Sequence, residues 1–132
     1  MKQKIFSKDQ SDPTRSELEI LQVLWQHGPS TVRFVNDELK KSKEVQYTST
    51  LKIMQLMHEK GLLHRDESAM KHLYGAAVEE KSTQRHLLDK FIASTYKGSA
   101  SSLMLQLLGN RKVPEKELEA IKKLLAAIDK EK

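Results

Sequence analysis

The stretch YTSTLKIMQLMHEKG (47–61), followed by LLHRD (62–66) and KHLY (71–74), decides the fold of this chain. At ~100° per residue, Tyr47, Thr50, Leu51, Ile53, Met54 and Met57 fall on one broad side of a helix, and Thr48, Ser49, Lys52 and Gln55 share the other. One side can pack a core. The other offers hydroxyls, an amide and a cation, the groups that read base edges in a major groove. The helix is expected to begin near Tyr47, with Thr48 and Ser49 able to cap it, and to stop at Gly61. The two short apolar runs beyond it predict a hairpin with Glu67-Ser68-Ala69 at its tip. A recognition helix followed by a β-wing is the order of a winged helix-turn-helix. An ordinary surface helix shows the same two-sidedness, so the flanking segments must decide.

Upstream, Thr14 and Glu17 form a capping box, in which the hydroxyl accepts from an orphan backbone N–H and the carboxylate returns to the cap residue. Leu18, Ile20, Leu21, Leu24 and Trp25 then recur at helical spacing until Gly28-Pro29 ends the run. Ser30 and Thr31 offer caps for a second helix carrying Val32, Val35 and Leu39, which gives way to the polar turn KKSKE. Three short helices and a hairpin fill residues 14–78 as a winged-helix domain. The polar residues 1–13 show no periodicity and read as a mobile tail.

Residues 79–132 change character and become wholly helical. Leu87, Leu88, Phe91, Ile92 and Tyr96 form one stripe before Gly98, and Leu103, Met104, Leu107 and Leu108 another before Gly109-Asn110. Pro114 opens a last helix where a missing N–H costs least, followed by Leu118, Ile121, Leu125 and Ile128. Short amphipathic helices with no sheet to cover do not bury such stripes alone. They are expected to do so against a second copy, through Leu87, Phe91, Leu103, Leu107, Leu118, Ile121, Leu125 and Ile128. The fold class is therefore mainly α with a small β-wing: a winged helix-turn-helix domain plus a C-terminal helical dimerisation region.

Charge supports a polyanion partner, though weakly. The 132 residues carry a formal net charge of +5 and a pI near 9.4. Residues 40–75 hold 7 Lys/Arg against 4 Asp/Glu, but residues 79–132 hold 11 against 8, so the helix and wing are not uniquely basic.

From Thr14 to about Ile128 the chain resembles the penicillinase repressor family of bacterial winged-helix transcriptional repressors. The resemblance is carried by SELEILQVLWQHGPSTVRFVNDEL (16–39), VQYTSTLKIMQLMHEKGLL (45–63), HLYGA (72–76) and YKGSASSLMLQLL (96–108). It implies a homodimeric repressor on a palindromic double-stranded DNA operator, with groove-facing residues at Tyr47, Thr48, Ser49 and Lys52. The helical wheel adds Gln55 to these base contacts, and Lys43, Arg65 and Lys71 are the candidates for backbone phosphates. Many relatives have arginine where this chain has Leu56. Relatives in the resistance systems are controlled by a membrane-bound sensor metallopeptidase that cuts an Asn-Phe bond in the C-terminal region, which makes such a peptidase a candidate partner without implying the same cleavage here. Gln106-Leu107 stands at that place here, so cleavage would need a peptidase of altered preference. The copper-responsive branch holds metal through C-terminal cysteines, and this chain has none.

Other chemistry finds little support. With no cysteine, disulfides, thiolate metal sites and Cys nucleophiles are excluded. His27, His58, His64, His72 and His86 include no tight ligand pair, although His64 and His72 could face each other across the wing. His86 and Asp89 lie one helical turn apart, as surface pairs commonly do. No Ser/His/Asp order, phosphate-binding glycine loop or paired-carboxylate cleft stands out, so no enzyme, metal or cofactor is expected. Trp25, Phe34 and Phe91 read as core. No apolar run reaches the ~18 residues of a membrane span and MKQKIFSKDQSDP lacks a signal-peptide core, so a cytoplasmic protein without membrane insertion is expected. The competing function is a winged-helix adapter that binds protein and no longer DNA.

Overall fold

The computed structural model describes residues 2–7, 10–68, 70–109 and 113–130, the side chains at 125 and 128–130 excepted. The element order is α1 (Arg15–His27), α2 (Val32–Leu39), α3 (Tyr47–Glu59), β1 (Leu63–Asp66), β2 (Leu73–Ala76), α4 (Glu80–Thr95), α5 (Ala100–Gly109) and α6 (Glu115–Lys130). Two compact units result, residues 1–88 and 89–132.

The first unit is a winged helix. Its capping box is complete: Thr14 Oγ1 accepts from the Glu17 amide, and Glu17 Oε1 accepts from the Thr14 amide. Gly28, at φ 79°, and the proline after it end α1. Thr31 caps α2 by accepting from the Phe34 amide. Ser30 instead exchanges backbone bonds with Tyr74, adding a third short edge to the β1-β2 hairpin. Apolar residues from α1, α2, α3 and both strands close the core, with Ile20, Leu21, Val35, Met54, Met57 and Val78 0% exposed. The α3 helix stops because the Leu62 amide reaches back to the Met57 carbonyl while Gly61 adopts φ +83°, a conformation costly for any side chain.

Five expectations need correction. The start of α3 is at Tyr47, but its N-cap is Gln46 and no side chain caps it; Thr48 and Ser49 lie inside the first turn. The second strand is Leu73–Ala76, two residues later than KHLY, because Tyr74 pairs with Arg65 on one edge and Ser30 on the other and so sets the register. The described residues among 1–13 engage the domain rather than forming a mobile tail. Lys4 pairs in parallel with Val78, Phe6 is buried in the core at 7% exposure, and its amide donates to Ser82 Oγ. Of the aromatic residues read as core, Trp25 packs on its edge and donates Nε1–H to the Val78 carbonyl. Phe34 and Phe91 are exposed, Phe34 forming an edge contact with His27 and Phe91 one with Tyr96. The unit boundary also falls inside α4 rather than at residue 78, since Thr83 is buried and Ser82 and His86 serve the first unit.

In the second unit, Pro114 stands immediately before α6 and its carbonyl accepts from Leu118, as a first-turn proline permits. Met104, Leu107 and Leu108 of α5 line an apolar cleft of about 350 Å³ with Val113, Pro114 and Ile121. The expected turn at Asn110 and the wing-tip residue Ala69 lie outside the described residues.

Candidate nucleic-acid interface

The candidate surface is built on α3, which is held from behind by an apolar grip. Thr50, Met54 and Met57 are buried, and Leu51 and Ile53 pack partly against the same core. Thr50 Oγ1 donates to Asn36 Oδ1 at 2.7 Å, a buried polar link from α3 to α2. This fixes which way the helix faces. Thr48, Ser49, Lys52, Gln55 and Leu56 are then all exposed, as the helical wheel predicts for the first four. Among the described residues, the side chains of Thr48, Ser49, Lys52 and Gln55 are engaged in no hydrogen bond or ion pair with the protein. A row of uncommitted donors, acceptors and one cation along a rigid helix is what base-edge recognition requires.

Tyr47 differs from its neighbours. It is 38% exposed and the guanidinium of Arg33, on α2, lies over its ring at 5.1 Å from the centroid. Both residues line a cleft of about 370 Å³ between α2, α3 and the wing, together with Gln55, Lys71 and His72, and among the described residues no carboxylate lines it. A second cleft of about 830 Å³ at the α2-α3 turn is lined by Lys40, Lys43, Gln46 and Ser49, with Glu44. The sequence reading missed Arg33 and Lys40. Arg33 meets Tyr47 only through the packing of α2 on α3, so no local spacing announces it; Lys40 stood in view within the KKSKE turn.

The three expected phosphate-contacting cations are held differently. Lys43 Nζ lies 3.0 Å from Glu19, across the surface from α1. Arg65 is paired with Glu67 at 2.6 Å, and a hydrogen bond with Tyr74, ahead of the Glu67 charge, raises its already high pKa so that it is permanently cationic. Lys71 forms no ion pair among the described residues. At the wing tip, Asp66 Oδ1 accepts from both the amide and the hydroxyl of Ser68, bonds that lower its pKa and shape the turn. Behind the site, Glu17 is buried; burial pushes its carboxyl up, but the bonds from Lys60, at 2.8 Å, and Thr14 together outweigh this and hold it below the ordinary value.

The histidines do not assemble. His64 pairs in register with Gly75 rather than facing His72, and its Nε2 donates to the Lys2 carbonyl at 2.6 Å. His86 turns to Asp12 at 2.8 Å and stacks near Phe6 at 4.7 Å, rather than meeting Asp89. Among the described residues no group of His, Asp and Glu could hold a metal ion.

Of the candidate dimerisation residues, Phe91 is 47% and Leu107 43% exposed, and Leu87, Leu103, Leu118 and Ile121 are partly exposed. The side chains of Leu125 and Ile128 lie outside the described residues. Leu88, Met104, Leu105, Leu108 and Leu124 are also exposed. No helix among the described residues is long and apolar enough to cross a membrane.

Comparison with known proteins adds an independent line. A profile of the family described as penicillinase repressor matches residues 13–127. Over 125 residues the chain is 21% identical to the penicillinase repressor of Staphylococcus aureus, covering 95% of this chain and 99% of that protein. It is 21% identical over 110 residues to the methicillin resistance regulatory protein MecI of Staphylococcus aureus strain N315, covering 83% and 89%. Among solved structures it is similar to monomeric BlaI of Bacillus licheniformis, determined with the blaP half-operator. There the identity is 21%, the TM-score 0.47, and the match covers 61% of this chain and 92% of that one.

Proposed function

The chain belongs to the penicillinase repressor family, and from that premise we propose that it is a sequence-specific DNA-binding repressor acting as a homodimer on a palindromic operator. The observation that carries the reading is the outward face of α3, whose Thr48, Ser49, Lys52 and Gln55 side chains are, among the described residues, free of partners beside a cleft without carboxylates. With α3 in a major groove, these residues and Tyr47 meet base edges, and Lys43, Arg65 and Lys71 meet phosphates on either side. Lys43 and Arg65 exchange surface carboxylates for phosphates at little cost, since such pairs contribute about 0 to 1 kcal/mol.

The second unit supplies the twofold. Its exposed Phe91, Leu107 and Leu108 and the apolar cleft between α5 and α6 are surface that a second copy covers. Each winged helix then takes one half-site, and linkage raises the effective concentration of the other. The protein acts in the cytoplasm, where its operator is. Induction by a sensor peptidase would require a cut in α5, where Gln106 and Leu107 are helical and exposed in the single chain, so that the helix must unwind and, in the dimer, leave the covered surface.

The test is selection from a random duplex library by the full-length protein, followed by binding across salt. A palindromic winner, bound with an affinity that falls steeply as salt rises, is expected because phosphate contacts release counterions. Failure to enrich any duplex would overturn the repressor reading in favour of a protein-binding adapter.

A further inference from the structure

We propose that the cleft between α2, α3 and the wing is a phosphate subsite, in which Arg33, steadied on the ring of Tyr47, and Lys71 grip the backbone of one operator strand. The proposal rests on the DNA-binding reading above and adds to it a residue, Arg33, and a task for Tyr47.

Local stability does not account for Arg33. It lies in the first turn of α2, two residues after the Thr31 cap, where the helix dipole disfavours a cation. No carboxylate among the described residues pairs with it, and its guanidinium lies over the Tyr47 ring. That contact, 5.1 Å from the ring centroid, restricts a long side chain that is otherwise exposed and lines the cleft. Across the same cleft stand Lys71 and His72 from the wing and Gln55 from the base-reading face of α3. Two cations with several donors and no acceptor carboxylate match a phosphodiester, which the guanidinium meets with two parallel N–H donors.

The position suits a strand passing between groove and wing. Arg33 comes from α2 and Lys71 from the wing, so a phosphate in the cleft is held by two elements while Thr48, Ser49 and Lys52 face the bases. Tyr47 then contacts DNA by its hydroxyl edge only, because its face is occupied by Arg33. Phosphate contacts of this kind set register and carry no base preference.

The experiment uses the full-length protein, a palindromic duplex it selects from a random library, and a scrambled duplex of equal length, with binding measured across salt. Arg33→Ala is expected to weaken both duplexes by the same factor, about three- to tenfold, and to make the salt slope shallower by about one per half-site. Arg33→Lys should keep the slope yet fall short of wild-type affinity, because an ammonium lacks the planar fork. Should Arg33→Ala lower the melting temperature, Arg33→Gln is read in its place. Wild-type affinity and slope in the arginine variants, alongside a Lys52→Ala protein that loses the selected duplex, would overturn the subsite while leaving the DNA reading standing. Loss confined to the selected duplex would make Arg33 a base reader and overturn the phosphate assignment. A wild-type protein that enriches no duplex removes both readings.

Discussion

Lys52 carries the one positive charge on α3 between Tyr47 and Gln55, and Thr48 and Ser49 stand one turn before it on the same exposed face. Replacing Lys52 by alanine should weaken operator binding, and Thr48→Ala or Ser49→Ala should relax preference at the contacted base by about 1–3 kcal/mol. Competition between single-base operator variants measures this; unchanged preference in folded variants removes these residues from the reading surface. That face was legible in the sequence because a helix repeats every 3.6 residues and the burial of Met54 and Met57 fixes its rotation. Arg33 was not legible, since its partner Tyr47 is distant in sequence and the two meet only after α2 packs on α3. Phe6 escaped for a different reason: one aromatic residue in a polar stretch has no period to detect, yet it is buried. Glu17 makes a further prediction at this scale. Its pKa is depressed in the folded protein, so its bonds to Lys60 and Thr14 stabilise fully above the ordinary glutamate value, and that contribution is lost as pH falls through the depressed pKa. Glu17→Gln should therefore cost about 1 kcal/mol at neutral pH, with the deficit shrinking in acid; a difference from wild type that does not change with pH counts against the ion pair.

At the scale of elements, the link between α2 and α3 decides how the reading face is presented. Thr50 and Asn36 are both fully buried, their bond is 2.7 Å, and Asn36 Nδ2 has no partner among the described residues. A polar pair in an otherwise apolar seam allows one register between the helices where a wholly apolar seam allows several. Thr50→Val, nearly isosteric, leaves the Asn36 amide with no partner at all and should cost about 1–3 kcal/mol in denaturant unfolding. The double variant Asn36→Leu with Thr50→Val should recover most of that loss, since neither side then buries an unmet polar group. A single Thr50→Val that unfolds like wild type would show that the bond contributes nothing. Elements were more legible than their edges. The Thr14 capping box marked the start of α1 correctly because its chemistry is local. The register of the wing was displaced because Tyr74 is claimed by Ser30, a residue from a different part of the chain.

At the scale of the molecule, the proposed function depends on two winged helices acting at once, and on that reading the second unit joins them. Its sequence stripes were legible as unpartnered surface, and Phe91, Leu107 and Leu108 are indeed exposed in the single chain, whereas the face a second copy takes is not written in one chain's periodicity. Leu107→Glu should lower the dimer fraction in sedimentation at micromolar concentration and weaken palindrome binding without altering the fold of the first unit. Cutting the chain tests the same linkage more severely. The bond Gln106-Leu107 lies inside α5 (Ala100–Gly109), and a peptidase must unwind that helix to bind it in extended form. Severing there separates α6 and the end of α5 from the rest of the chain, removing part of the apolar cleft formed by Leu107, Leu108 and Ile121. The first unit keeps its whole core, since the buried residues from Phe6 to Val78 all precede the cut. A protease site engineered at 106–107 and cut should thus yield a folded winged helix that contacts a half-site with low affinity, because the second half-site no longer has a raised effective concentration. Loss of dimer and of palindrome binding together, with half-site binding retained, is the expected result. A severed protein that remains dimeric and holds the palindrome as before excludes induction by cleavage of α5.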